Sequence, residues 1–187
     1  MGTSKAMLPF GPETMLQRVV RLLGSVVSPL VVVAAGAQEL PALPPGVIVT
    51  RDEREARGPL EGIRAGLKAL PPHVDAAYIT SCDVPLLVPA FVRRMIELAD
   101  GYDIVVTEID GFAHPLSAIY GRTALPHAEA LLAEDQLRVS HLFSRVRTRR
   151  VPTSEMVGVD PELQTLRNLN TQEDYAAALV AAGYQPR

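Results

Sequence analysis

Apolar runs alternate with helical patterns along the whole chain. Between Pro12 and Leu23, the residues Met15, Leu16, Val19, Val20, Leu22 and Leu23 recur at helical spacing and Gly24 supplies a stop, which predicts a helix with one apolar face. Leu30-Val31-Val32-Val33-Ala34 differs: β-branched residues run on without alternation, the pattern of a strand buried on both faces. Val47-Ile48-Val49-Thr50 is a shorter strand after the connector carrying Pro41, Pro44 and Pro45. Pro59 to Leu70 is helical, with Ile63, Leu67 and Leu70 on one face, and Pro71-Pro72 ends it.

The alternation continues. Ala76 to Ser81 reads as a strand, Cys82-Asp83-Val84-Pro85 as a turn and Val88 to Ala99 as a helix. Asp103 to Thr107 and Pro115 to Tyr120 are strands separated by the Asp110-Gly111 turn. Helices are expected over Arg122 to Ala133 and Thr171 to Ala182, with a short one at Val139 to Phe143. Strand and helix in turn, joined by short connectors, imply an α/β fold of three layers: a mostly parallel sheet with helices on both faces. Ligands on such a sheet sit beyond the carboxyl ends of the strands. Asp83, directly after a strand, lies in that region.

Composition narrows the classes. The 187 residues suit one domain, 1–187, with a single core, and 48% hydrophobic against 21% charged residues is ordinary globular composition. A net charge of −3 gives no bulk attraction to nucleic acid or to acidic membranes. Leu30 to Ala37 is too short to span a bilayer, so no membrane association is expected. Cys82 is the single cysteine, which excludes an internal disulfide and fits a reducing compartment; the expected location is cytoplasmic.

Few residues offer chemistry. Asp83 combines a strand end with the restricted turn ahead of Pro85, and one such carboxylate can hold Mg2+ together with waters and substrate phosphates. Its plainer reading is a helix N-cap. Cys82 has no CxxC partner and reads as a small buried hydrophobe. Lys5, after Gly2, offers a flexible positive charge for triphosphate oxygens, or is a solvated terminal lysine. Gly58-Pro59-Leu60-Glu61-Gly62 marks a helix start whose N–H groups suit an anion or a carbonyl, beside the ordinary reading of proline in a first turn. In Asn168-Leu169-Asn170-Thr171, Asn170 or Thr171 caps the last helix, or Asn170 faces Asp83 and adds an oxygen to a metal site. His73, His114, His127 and His141 lack zinc spacing. Arg145, Arg147 and Arg149 alternate and would share one solvated face if the segment were a strand.

The order of these segments resembles that of the molybdenum cofactor guanylyltransferases, nucleotidyltransferases on a Rossmann-like sheet. The family signature is Leu-Ala-Gly-Gly-x-Ser-x-Arg-Met-Gly-x-x-Lys, of which Met1-Gly2 and Lys5 match the end. Gly58-Pro59-Leu60-x-Gly62, Cys82-Asp83-x-Pro85, His114-Pro115 and Asn168-x-Asn170-Thr171 match the rest, and the likeness runs from Met1 to about Tyr184. The resemblance implies catalytic roles for Lys5 and Asp83. It implies nucleotide contacts from Gly2, Lys5, Asp52, Gly58, Pro59, Leu60 and Asp83, and Mg2+ on Asp83 and Asn170. GTP and molybdopterin are the implied substrates, with cofactor-carrying proteins as partners. Two departures stand out. Ala34 replaces an asparagine that contacts guanine in some relatives, and the Leu-Ala-Gly-Gly portion with its preceding strand lies outside the sequence. The implied domain is therefore shortened at its N-terminus by roughly 10 to 20 residues, a strand and a loop.

The implied reaction moves GMP from GTP to the phosphate of molybdopterin and releases pyrophosphate. An anionic phosphate needs no strong base, which suits a chain without a histidine or cysteine catalyst. The rivals are a cytidylyl or sugar-phosphate transferase of the same fold and a non-catalytic nucleotide-binding relative.

Overall fold

The computed structural model describes residues 4–54 and 56–185; Met1 and Gly2, the expected end of the phosphate loop, lie outside them. A 3-10 turn at Lys5–Met7 leads into a hairpin of β1 (Pro9–Phe10) and β2 (Glu13–Thr14), followed by helix α1 (Met15–Gly24). Then come β3 (Val31–Ala34), β4 (Ile48–Arg51), α2 (Gly58–Lys68), β5 (Ala76–Thr80) and α3 (Pro89–Glu97). The second half contains β6 (Ile104–Ile109), β7 (Phe112–Gly121), α4 (Leu125–Ala133), α5 (Ser140–Phe143), β8 (Thr148–Pro152) and α6 (Gln172–Ala181).

Local chemistry fixes the helix starts. Proline stands in the first turn of α2, α3 and α4, where a missing N–H costs nothing and φ is already helical. Two capping boxes set the others: Thr14 with Gln17 opens α1, and Thr171 with Asp174 opens α6. Thr171 thus does the capping, and the Asn170 side chain is free for another task.

The larger sheet has the order β5-β7-β6-β8. β7 is antiparallel to both β5 and β6, and β8 is parallel to β6, so β5, β6 and β8 share one direction and β7 opposes them. β3 and β4 form a separate parallel pair. Alternate residues of the strands divide the core. Ile104, Val106, Ala118 and Tyr120 pack under α2 and α4, whereas Val105, Ile119 and Val151 pack against α3. These are the expected three layers.

Two elements differ from the sequence reading. The β1–β2 hairpin is too short to leave a periodic signal. β8 takes its residues from a basic stretch in which Val151 alone is buried. The arginines do not share one strand face: the strand starts at Thr148 and contains Arg149 and Arg150 only. They are held by carboxylates instead, Arg145 by Glu134, Arg147 by Asp103, Arg149 by Glu155 and Arg150 by Glu108. Charged side chains of this kind protect an edge strand from further pairing.

Between the β3–β4 pair and β5 lies an apolar slot of about 730 Å³. Val31 and Val33 on one side, Ala77, Ile79 and Cys82 on the other, and Gly62 and Gly66 of α2 line it.

Gly11 tests the tight packing at the opposite edge. Its φ is +68°, and a Cβ there would fall 2.4 Å from the Tyr184 ring. Gly11→Ala is expected to cost about 2–3 kcal/mol, from a backbone that disfavours L residues and from overpacking. Gly46→Ala, with φ +87° and open space around the new carbon, should lose only about 1 kcal/mol. Urea denaturation of the two variants checks the difference.

Candidate active site

Three segments distant in sequence meet beyond the carboxyl end of β5. The Lys5 ammonium group donates to Asp83 Oδ2 at 3.0 Å and to Asn170 Oδ1 at 2.9 Å. The other carboxylate oxygen of Asp83 accepts from the Ser81 hydroxyl. Main-chain bonding fixes the partners as well: the Leu169 N–H donates to the Asp83 carbonyl at 2.9 Å, and Leu169 is buried among Phe10, Met15 and Leu86. The leucine is thus inside, and Asn170 meets Asp83 through the shared Lys5 ammonium group. Lys5 is anchored by its neighbour Ala6, which is 2% exposed.

Asp83 and Asn170 direct one oxygen each at a single cationic point, at present the Lys5 nitrogen. Carboxylate and amide oxygens are hard donors of the kind Mg2+ takes alongside phosphate oxygens and water. The donor set fits the ion. Among the described residues no group of three or more His, Cys, Asp or Glu could hold a metal, so the ion would rely on substrate for the rest of its shell. Burial and the adjacent Asp83 charge push the Cys82 thiol above its ordinary value, which disfavours the thiolate. His114 is half-buried, and burial lowers its pKa, which favours a neutral ring.

A second cluster forms where β4 meets α2. Asp52 follows β4, with its N–H on the Ala34 carbonyl at 3.0 Å. Its Oδ1 is buried and without a hydrogen-bond partner among the described residues. Burial first, and the Glu61 charge second, raise its pKa against the pull of Arg64. Gly58 has φ +67° and open space around it, and Gly62 one turn later is equally open, so the start of α2 presents bare backbone. Asp52, Gly58, Pro59 and Gly62 all line the slot. Leu60 does not belong with them: its side chain is fully buried under α4, and any ligand contact from it would be through the main chain.

Sequence reading missed Glu61, taken only as a member of the Gly-Pro-Leu segment. Burial pushes its carboxyl up, but the Arg64 hydrogen bonds and charge and the Glu53 N–H outweigh this and leave it lowered. Arg64 grips it at 2.7 and 3.2 Å. The i, i+3 spacing of Glu61 and Arg64 was the available signal.

A lysine, a carboxylate and an amide are thus gathered beyond the strand ends of an α/β sheet. The fold agrees with solved structures. Molybdopterin-guanine dinucleotide biosynthesis protein A from Archaeoglobus fulgidus superposes with a TM-score of 0.78 at 17% identity, over 97% of this chain and 92% of that one. A 2-C-methyl-D-erythritol 4-phosphate cytidylyltransferase from Thermus thermophilus gives 0.70 at 15% identity, over 96% and 93%. In sequence, the chain is 31% identical over 185 residues to the molybdenum cofactor guanylyltransferase of Desulfosudis oleivorans, covering 97% of this chain and 90% of the relative. The model of the MobA-like NTP transferase domain matches residues 1–149, and the chain belongs to that family.

Asp52 generates a prediction. A carboxyl whose pKa is higher folded than unfolded destabilises the fold once pH rises past its unfolded value, because the folded state holds the proton longer. Asp52→Asn should therefore raise the melting temperature at pH 7. The gain should shrink as pH falls into the ordinary carboxylate range, and thermal denaturation at pH 7 and pH 4 reads it.

Proposed function

We propose that the protein transfers GMP from GTP to the phosphate of molybdopterin and releases pyrophosphate. The observation that carries this reading is the convergence of Lys5, Asp83 and Asn170 on one point beyond the sheet. The attacking oxygen belongs to a phosphate monoester and is already anionic. It forms a bond to the α-phosphorus as the bond from that phosphorus to the bridging oxygen of pyrophosphate breaks. No proton has to be removed first.

What such a reaction needs is charge neutralisation and alignment. Bound at Asp83 and Asn170, Mg2+ would supply a Lewis acid for the α-phosphate. Lys5 would exchange its carboxylate for triphosphate oxygens, which a long unbranched ammonium side chain can do without moving the backbone. Asp52 and the bare start of α2 would meet the nucleoside: an acceptor without a partner is suited to N–H groups of a base, and free helix N–H groups to its carbonyls. The names carried by relatives support molybdopterin as the acceptor. Cofactor-carrying proteins as partners follow from the same reading. Among the described residues no helix is long and apolar enough to cross a membrane.

One observation favours a second reading, the cytidylyl version of the same reaction. Ala34, at the position where the resemblance implies an asparagine for guanine, is buried and apolar at the end of β3.

Pyrophosphate release from GTP with molybdopterin and Mg2+, with CTP and UTP in competition, separates these readings. GTP should be preferred; preference for CTP would replace the first reading by the second. Asp83→Asn should lower turnover by about 10²–10³-fold, the scale seen when a group serving transition-state charge is removed. The melting temperature should move little, since a partly exposed ion pair is worth about 0–1 kcal/mol. Full activity in Asp83→Asn would remove the carboxylate from the mechanism.

A further inference from the structure

We infer that Glu61 is a positioning residue for the nucleotide: its carboxylate pins the peptide that follows Asp52 and so holds the Asp52 carboxyl toward the ligand, an inference that rests on the nucleoside contact proposed for Asp52. Glu61 Oε1 accepts from the Glu53 N–H at 3.1 Å. The Asp52 N–H donates to the Ala34 carbonyl at 3.0 Å. The peptide N–H groups on both sides of the Asp52 side chain are therefore held, one by the end of β3 and one by a side chain of α2. Farther along the same connection, the Arg57 guanidinium bonds to Asp135 and to the Leu132 carbonyl of α4. The segment between β4 and α2 is thus tied at both ends, while the buried Asp52 Oδ1 has no partner among the described residues. An acceptor fixed in place without a donor costs the fold stability and suits a ligand that brings N–H groups.

Glu61 is itself immobilised. Both it and Arg64 are buried, and Arg64 bonds the two Glu61 oxygens at 2.7 and 3.2 Å. The same guanidinium reaches the Glu53 carboxylate at 3.2 Å, and Lys68 holds that carboxylate from one turn farther along α2 at 2.8 Å. Leu60 and Ile63, on either side of Glu61 in α2, belong to the apolar core. A charged pair is a costly occupant of such a position, because two ions lose their hydration. Apolar side chains of similar volume are often as stable there, or more so. What no apolar side chain supplies is an acceptor for the Glu53 N–H. That acceptor, placed one peptide away from the carboxyl that faces the ligand, is what distinguishes the Glu61–Arg64 pair from an ordinary core contact.

The test measures binding of GTP with Mg2+ by titration calorimetry in the 187-residue chain and in two double variants. Glu61→Met with Arg64→Met replaces the ion pair by apolar side chains and removes the acceptor. Glu61→Gln with Arg64→Met also removes both charges but keeps an oxygen for the Glu53 N–H. In the first variant Kd should rise about tenfold, the scale of one lost hydrogen bond to a charged group. Its Glu53 amide should exchange with solvent about tenfold faster, and its melting temperature should hold or rise. In the second variant most of the affinity should return. With Asp52→Ala added, the two double variants should bind alike, because the effect passes through Asp52. The inference is overturned if the first variant binds as the unchanged chain does, if the second binds no better than the first, or if the loss persists beside Asp52→Ala. Unfolding of the first variant would make the pair a structural element and overturn it equally. Failure of the nucleoside contact itself reads differently: Asp52→Ala alone would bind as tightly as the unchanged chain, or the unchanged chain would bind neither GTP nor CTP, and both readings would fall together.

Discussion

One ammonium group ties the site together. Lys5 bonds to Asp83, 78 residues away, and to Asn170, 165 residues away, and these contacts hold the start of the chain, the end of β5 and the approach to α6 at one place. The tie adds little stability, because Lys5 is about a third exposed and water screens the pair. Its value lies in position. In the proposed reaction, two oxygens already aimed at a common point would serve a different positive charge in place of the lysine, and preorganisation of this kind is the main electrostatic advantage of a folded site over water.

The two carboxylates at the start of α2 show how burial separates structural from ligand-directed charge. Glu61 is 2% exposed and fully engaged by Arg64 and by the Glu53 N–H, so its charge is compensated within the protein. Asp52, on the same connection, keeps a buried oxygen with no partner among the described residues. An unmade hydrogen bond of this kind costs about 1–3 kcal/mol, more than most exposed ion pairs return. The fold thus holds a stabilising acid in the first turn of α2 and a destabilising one in the connection that leads to it. The destabilising one faces the slot with the bare glycines.

The α/β alternation was legible because strands such as Val31–Ala34 lack polar positions, although only Val32 and Ala34 of that strand are buried, and helices such as α1 carry a clean apolar face. Asp83, Lys5 and Asn170 were legible as a set only through their resemblance to a family; periodicity alone made each a cap or a solvated end. β8 was not legible, since its single buried side chain, Val151, leaves no pattern among its charged neighbours. The burial of the Leu60 side chain was not legible, because a motif does not say which of its residues face inward. In Gly58-Pro59-Leu60, the two residues before the leucine stay at the surface while the leucine completes the core under α4. The partnerless Asp52 was equally hidden, because satisfaction of a hydrogen bond is a property of the folded neighbourhood.

The slot and the site are one geometrical problem. Asp52 with the start of α2 belongs to the wall that carries β3 and β4, whereas Asp83 belongs to the wall that carries β5. α2 packs on both walls, through Gly66 against Val33 and through Ile63, Leu67 and Leu70 in the core that also receives Ala77 and Ile79. A helix pressed on two sheets sets the angle between them, and among the described residues no backbone pairing joins β3 to β5. The spacing of the two walls, and with it that of Asp52 from Asp83, is therefore set by the side chains packed on α2.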